Sequence, residues 1–138
     1  MPRNVKSQLL GHRCVHSECR AHILQAAHNY TFARSLVSRQ SLAERQWAII
    51  VAFYCLVHLA ESLLVHFPLP HPRGTSHHDH RASAILKSAN NAYAPWDRIR
   101  KDCDDCRYRM RKPRPSRVQA RVLNDLEQAV KDIVASLP

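Results

Sequence analysis

Glycine is the sharpest shortage in this chain, with 2 residues in 138. That excludes a collagen-like repeat, a G-x-G-x-x-G turn and any glycine loop that cradles phosphate. Short alternating apolar–polar runs are also scarce, which argues against a β-sandwich or barrel. Acidic residues are few: 11 Asp and Glu stand against 21 Lys and Arg, a net charge of +10. The 5 cysteines are odd in number and follow no secretory signal. A disulfide framework is therefore not indicated, and a reducing, cytoplasmic setting is expected. What the chain does have is apolar residues, at 45%. This is too many for a disordered polymer. The length suits one domain. A basic, all-helical domain is the class that remains.

Helical periodicity runs through most of the chain. Residues 1–16 read as a basic, flexible arm, and residues 17–138 as the helical domain. The first 40 residues are Arg-rich and acid-poor like a transit peptide, but they run straight into an amphipathic helix pattern over about 18–38. Its apolar face is Ile23, Ala26, Ala27, Tyr30, Ala33 and Val37. Ser41 and Glu44 form a capping box that opens a long second helix reaching about Phe67. Pro68, Pro70, Pro72 and Gly74 interrupt the pattern. Ser76 caps a third helix, with Asp79 in its first turn and Ala82, Ile85, Leu86, Ala89 and Tyr93 facing inward. Pro95 sits in the first turn of a fourth helix, whose seam is Trp96, Ile99, Cys103, Cys106 and Met110. Pro113 and Pro115 end it. A fifth helix over about 116–136 turns Val118, Val122, Leu126, Ala129, Val130, Ile133 and Leu137 to the core.

The second helix is apolar nearly all round over residues 47–60. Residues 47–67 are long enough to span a bilayer. They also contain His58, Glu61 and His66, and ionisable groups near a span centre cost several kcal/mol each. A central bundle helix, or a helix at a dimer interface, explains the segment better than a membrane span.

Four constellations could carry chemistry. Between Arg107 and Arg121 lie seven basic residues and no acid: Arg107, Arg109, Arg111, Lys112, Arg114, Arg117 and Arg121. Upstream, Asp97–Lys101, Arg100–Asp104 and Lys101–Asp105 are spaced to pair along one helix. Downstream no sequence neighbour neutralises the run, which reads either as a solvated charge run or as a phosphate contact surface. Arg107 borders the apolar seam and calls for an anion or a carboxylate. The stretch from Arg73 to Arg81 is rich in histidine. His78 falls on the inner face of the third helix's first turn, with Arg81 three residues on. A helix N-terminus attracts anions and favours neutral imidazole. The alternative is a polar loop without chemistry. A polar stripe, Tyr54, His58, Glu61 and Ser62, interrupts the second helix, where Glu61 could orient His58. A hydrogen-bonded core histidine is the plainer account. Last come metal ligands. His12, Cys14, His16, Cys19 and His22 are closely spaced, and Cys103 and Cys106 form a CxxC. The first set lacks standard finger spacing, and the second occupies seam positions where Cys serves as a small apolar residue. No metal and no cofactor are expected.

Several short motifs resemble the HEPN family, named for higher eukaryotes and prokaryotes nucleotide-binding. They are His28 with Ala33-Arg34-Ser35-Leu36, Trp47-Ala48 with Phe53-Tyr54, His58-Leu59 with Glu61, then His80-Arg81 and Arg107-Tyr108. The resemblance spans about residues 22–136. It implies an up-and-down bundle of four or five helices, often dimeric. Many such proteins are metal-independent ribonucleases of toxin–antitoxin, phage-defence or CRISPR-associated systems. In these an Arg and a His four to six residues apart pair across a dimer, and a ribose 2′-hydroxyl attacks the adjacent phosphate. Others bind RNA without cutting it. Arg73 to His78 and Arg73 to His80 fit that spacing, although the string crosses a glycine-containing loop. Arg107-Tyr108 is followed by no His at that distance, and His80 stands where some toxins have Tyr.

The expected fold is therefore an all-α, up-and-down bundle of four to five helices. The expected partner is RNA ahead of DNA, with a homodimer or a larger complex and no membrane. A small ribonuclease leads. His78 or His80 would be its general acid/base, with Arg73, Arg81 and Arg107 on the phosphorane and Tyr108 on the substrate. Arg109, Arg111, Lys112, Arg114, Arg117 and Arg121 would hold the backbone. A non-catalytic RNA-binding or scaffold subunit is the alternative, and a zinc-stabilised interaction domain a weaker one. All these readings require the start of the third helix and the end of the fourth to converge on one electropositive pocket.

Overall fold

A computed structural model describes residues 4–39 and 41–138. The described residues form helices and no strand. Helices α2 (Ser17–Leu36) and α3 (Leu42–His66) make the most extensive contact in the molecule. Cys19 meets His66 while His22 meets His58, so residue numbers rise on one helix as they fall on the other and the pair is antiparallel. Helices α4 (His77–Ser88) and α5 (Tyr93–Tyr108) cover a second side of α3. A final rod, α6 (Pro115–Gln119), a π-helical stretch (Ala120–Asp125) and α7 (Leu126–Ser136), closes the core. The all-α bundle expected from periodicity is the fold observed.

Local chemistry sets the helix ends. The Ser41 hydroxyl accepts the Glu44 N–H at 3.2 Å and donates to the Glu44 carboxylate at 2.7 Å, so Ser41 caps α3 as expected and Glu44 folds back onto its hydroxyl. Ser76 caps α4 by accepting the Asp79 N–H at 3.1 Å. Pro115 opens α6 in the first helical turn, where its missing N–H costs nothing. Helix α3 alone among the described helices is long and apolar enough to cross a membrane, yet 61% of its most apolar stretch is buried within the protein. It is the central helix of the bundle.

The structure corrects four local expectations. The segment read as a flexible arm contains helix α1 (Val5–Gly11), capped by the Asn4 side chain and docked through buried Val5 and Leu9. Two apolar residues one turn apart are too short a stripe for periodicity to register. Residues 1–3 of that arm lie outside the described residues. Leu86 is half exposed, and Ala84 is buried instead, because α4 sits at the edge of the bundle and covers only a narrow stripe. Met110 is 82% exposed rather than part of the α5 seam. Helix α5 ends at Tyr108, and Met110 turns the chain with a left-handed φ of 49°. Val37 is the C-cap of α2 and only half buried.

Candidate functional site

The polar stripe on α3 gathers partners from three other helices. His22 on α2 faces His58, Nδ1 to Nδ1, at 3.0 Å. Glu61 accepts from Arg81 Nε on α4 at 2.6 Å. The carboxylate is therefore engaged by Arg81 and not by His58, contrary to expectation. Arg81 also reaches His78 Nδ1 through a terminal nitrogen at 3.1 Å. A guanidinium can only donate, so His78 Nδ1 accepts and the neutral ring carries its proton on Nε2. Burial pushes the His78 pKa below its ordinary value, and Arg81, Arg100 and Arg107 add to this while Asp104 opposes it. The same direction holds for His58, through burial, then His22 and Arg81, against Glu61.

Arg107 comes to this flank from the end of α5. It donates to the Tyr54 hydroxyl at 2.9 Å. Its guanidinium carbon lies 4.9 Å from the Tyr108 ring centre and 5.7 Å from that of Tyr54. Two tyrosines thus orient a cation that has no carboxylate partner among the described residues. His78 packs edge-on against Phe53, the neighbour of Tyr54, with ring centres 5.1 Å apart. The N-terminal end of α4 and the C-terminal end of α5 therefore lie on one flank of α3, and Arg100, midway along α5, pairs with Asp79 at 3.3 Å.

Two expected members stand apart. His80 bonds the Leu69 carbonyl at 2.9 Å through Nε2 and stacks on His71 at 4.6 Å. It fastens the proline loop. Arg73 lies exposed in the turn with Gly74, whose φ is 80°. Within one chain, then, Arg73 pairs with neither His78 nor His80.

The basic run behaves differently from its sequence. Residues 109–114 form a corner, fastened to the start of α3 by Gln46 Nε2 on the Arg111 carbonyl at 3.1 Å and Arg45 Nε on the Pro113 carbonyl at 3.2 Å. A cleft of about 490 Å³ opens there, lined by Arg111, Lys112, Arg114, Arg117 and Arg121, with Asp102 and Asp105 also on its wall. Acids of α5 neutralise part of the run across the corner. Asp105 takes Arg109 at 3.0 Å, and Asp102 takes Arg121 at 2.7 Å and Arg117 at 3.8 Å. Arg121 also bonds Asp125 at 2.9 Å, and Asp125 holds Arg98 at 2.8 Å. With its side chain only 11% exposed, Arg121 is a strut between α5 and the last rod. Lys112 and Arg114 are exposed and carry no ion pair among the described residues. Of the three pairs expected along α5, Asp97–Lys101 forms at 2.7 Å. Arg100 turns instead to Asp79, and Asp105 to Arg109.

The CxxC does not behave as a reactive pair. Burial pushes the Cys103 thiol up to about 12 and the Cys106 thiol up to about 11. Both stay protonated and serve as packing. Sequence reasoning missed His22 opposite His58 and His66 opposite Cys19. The step of four from His58 through Ser62 to His66 was the available signal for one polar face. Neither the family models, the curated proteins nor the solved structures match this chain.

Proposed function

We propose that this chain is an RNA-directed, HEPN-like module that holds a phosphodiester backbone along the α3–α4–α5 notch and the adjoining basic corner. One observation carries the reading. His78, with its proton on Nε2, and Arg107, a guanidinium with no carboxylate partner among the described residues, lie on the same flank of α3 and within electrostatic range of each other. A neutral donor and a cation without a carboxylate on one flank suit a phosphate backbone, and exposed Tyr108 offers a ring on which a base can stack. Lys112 and Arg114 extend the positive surface without a defined geometry, as backbone contacts require.

Cleavage is the second reading, favoured by a histidine kept neutral among three guanidiniums. It requires more than binding does. Arg81 occupies Nδ1, so His78 can accept a substrate proton only after that contact opens. The Arg–His pair of the resembled ribonucleases would have to be completed by Arg73 of a second copy.

The test is fluorescence anisotropy with labelled single-stranded RNA, hairpin RNA and DNA, in EDTA, with the products resolved on a gel. Salt-sensitive RNA binding that weakens about tenfold in Arg107→Ala supports the module, since a charge-assisted contact is worth ~1.5 kcal/mol or more. Cyclic-phosphate ends that vanish in His78→Ala support the ribonuclease. Equal affinity for DNA removes RNA as the partner. Absence of binding at low salt removes the whole proposal.

A further inference from the structure

Three soft-metal ligands, Cys14, Cys19 and His66, meet where the α1–α2 connection crosses the end of α3, and His12 approaches them from the Cys14 side. Cys14 Sγ and Cys19 Sγ are 2.6 Å apart. His66 Nε2 lies 3.2 Å from Cys19 Sγ, and His12 Nδ1 lies 3.3 Å from Cys14 Sγ. The donor atoms of Cys14, Cys19 and His66 all fall within 4.8 Å of one another. We propose that His12, Cys14, Cys19 and His66 form a structural zinc site.

The geometry can be compared with what zinc demands. Bonds of ~2.3 Å to sulfur and ~2.0–2.1 Å to nitrogen, set tetrahedrally, put sulfur–nitrogen edges near 3.5 Å and the sulfur–sulfur edge near 3.8 Å. The two sulfur–nitrogen separations, 3.2 and 3.3 Å, are close to the first value. The sulfurs need to open by about 1.2 Å to meet the second. Cys14 can supply that, since it sits only half buried in the α1–α2 connection, while Cys19 is fixed and fully buried on α2. A simple Cys14–Cys19 disulfide would account for the two sulfurs but would give no role to imidazole nitrogens aimed at each of them. The set of two thiols and two imidazoles is a standard closed site, with no position left for substrate. The spacing from His12 to Cys19 fails as a finger motif because the fourth ligand comes from a helix that begins more than twenty residues later.

The site also has a mechanical purpose in this fold. Helix α1 docks through only two buried side chains, Val5 and Leu9. Zinc would clamp the connection after α1, the start of α2 and the last turn of α3 into one unit. His16 packs edge-on against His66, with ring centres 5.4 Å apart, and would steady the ligand's ring. It is a positioning residue here and not a ligand.

The experiment uses the whole chain, purified with a phosphine reductant, reconstituted with zinc and desalted. Elemental analysis is expected to find one zinc ion per chain. Cobalt in place of zinc should give the intense visible bands of a tetrahedral site together with sulfur-to-cobalt charge transfer. Cys19→Ser and His66→Ala should abolish both signals, His12→Ala should weaken them and His16→Ala should weaken them less, whereas His28→Ala should leave them unchanged. Chelation should lower the melting temperature of the unaltered chain and not that of Cys19→Ser. Substoichiometric zinc, or a six-coordinate cobalt spectrum in the unaltered chain, overturns the proposal even if a variant fails to fold. Loss of the thiol hydrogens by mass, with no zinc uptake after reduction, assigns the pair as a disulfide instead. A larger effect from His16→Ala than from His12→Ala overturns the choice of fourth ligand.

Discussion

The seven cations from Arg107 to Arg121 should separate into struts and phosphate contacts. Lys112 and Arg114 line the cleft and carry no ion pair among the described residues, whereas Arg121 is held by Asp102 at 2.7 Å and Asp125 at 2.9 Å. On a single strand each cation that neutralises a phosphate contributes about −0.7 to the slope of log affinity against log salt. The double variant Lys112→Ala/Arg114→Ala should therefore flatten that slope by about 1.4. Over a fourfold rise in salt, from about 50 to about 200 mM, the unaltered chain should lose about sevenfold more affinity than the double variant. Its melting temperature should not change. Arg121→Ala should do the reverse. It leaves two nearly buried carboxylates short of a partner, although Arg98 and Arg117 remain beside them. The cost should be about 2–4 kcal/mol, below the full penalty for breaking a buried pair because those neighbours stay. For a domain of this size that is a fall of roughly 7–14 °C. Anisotropy titrations at several salt concentrations and thermal melts measure the two effects separately. An unchanged slope in the double variant, or a flattened slope in Arg121→Ala at an intact melting temperature, would refute the division.

Three further outcomes follow from particular residues. Met110→Gly should raise stability by about 1 kcal/mol, or about 3–4 °C, because the left-handed φ of 49° penalises any residue with a Cβ; an unchanged or lower melting temperature would count against a strained corner. His58 and His78 both titrate below their ordinary value when folded, so the unfolded chain takes up more protons as pH falls. Their contribution is complete above about pH 6.5 and is lost on acidification, so urea midpoints should drop between about pH 7 and about pH 5, less steeply in His58→Gln/His78→Gln. A midpoint that rises with acid would contradict the sign. Tyr54→Phe removes the hydroxyl that orients Arg107 without changing charge. It should weaken RNA binding less than Arg107→Ala and leave the salt slope as it is, whereas a loss equal to that of Arg107→Ala would assign Tyr54 itself a direct contact.

Much of the fold was legible because helical burial is periodic. The seven apolar positions from Val118 to Leu137 all pack inward, even though the rod passes through a π-helical stretch. The capping serines were legible for the same local reason, since a cap and its N–H are three residues apart. What sequence could not show was pairing across the fold. Asp102 and Arg121 are nineteen residues apart, so the run acquired in space an acid that no local spacing announced, whereas Asp105–Arg109 and Arg121–Asp125 are i,i+4 pairs at its two ends. The candidate site divides the same way. His78 and Arg81 could be placed together from their spacing on one helix, but Glu61 as the partner of Arg81 and Tyr54 beneath Arg107 depended on how α4 and α5 lie on α3.

That dependence makes α3 the element from which every candidate site is organised. Gln46 fastens the basic corner, Tyr54 orients Arg107, His58 meets His22, Glu61 holds Arg81, and His66 faces Cys19. At 1.5 Å per residue these stations extend over about 30 Å of one helix. A helix that serves as the core cannot place polar groups freely, because each must find a partner or remain unsatisfied. Here Tyr54, His58, Glu61 and His66 each bond a residue brought by a neighbouring helix, while buried Ser62 is satisfied by the His58 carbonyl of α3 itself. The interruptions in the apolar pattern thus mark where α2, α4, α5 and the basic corner dock. A long apolar helix with four or five such interruptions reads as a membrane span or a flawed core helix when taken alone. With its partners in place it fixes how the helices around it are positioned, and with them the flank proposed to meet RNA.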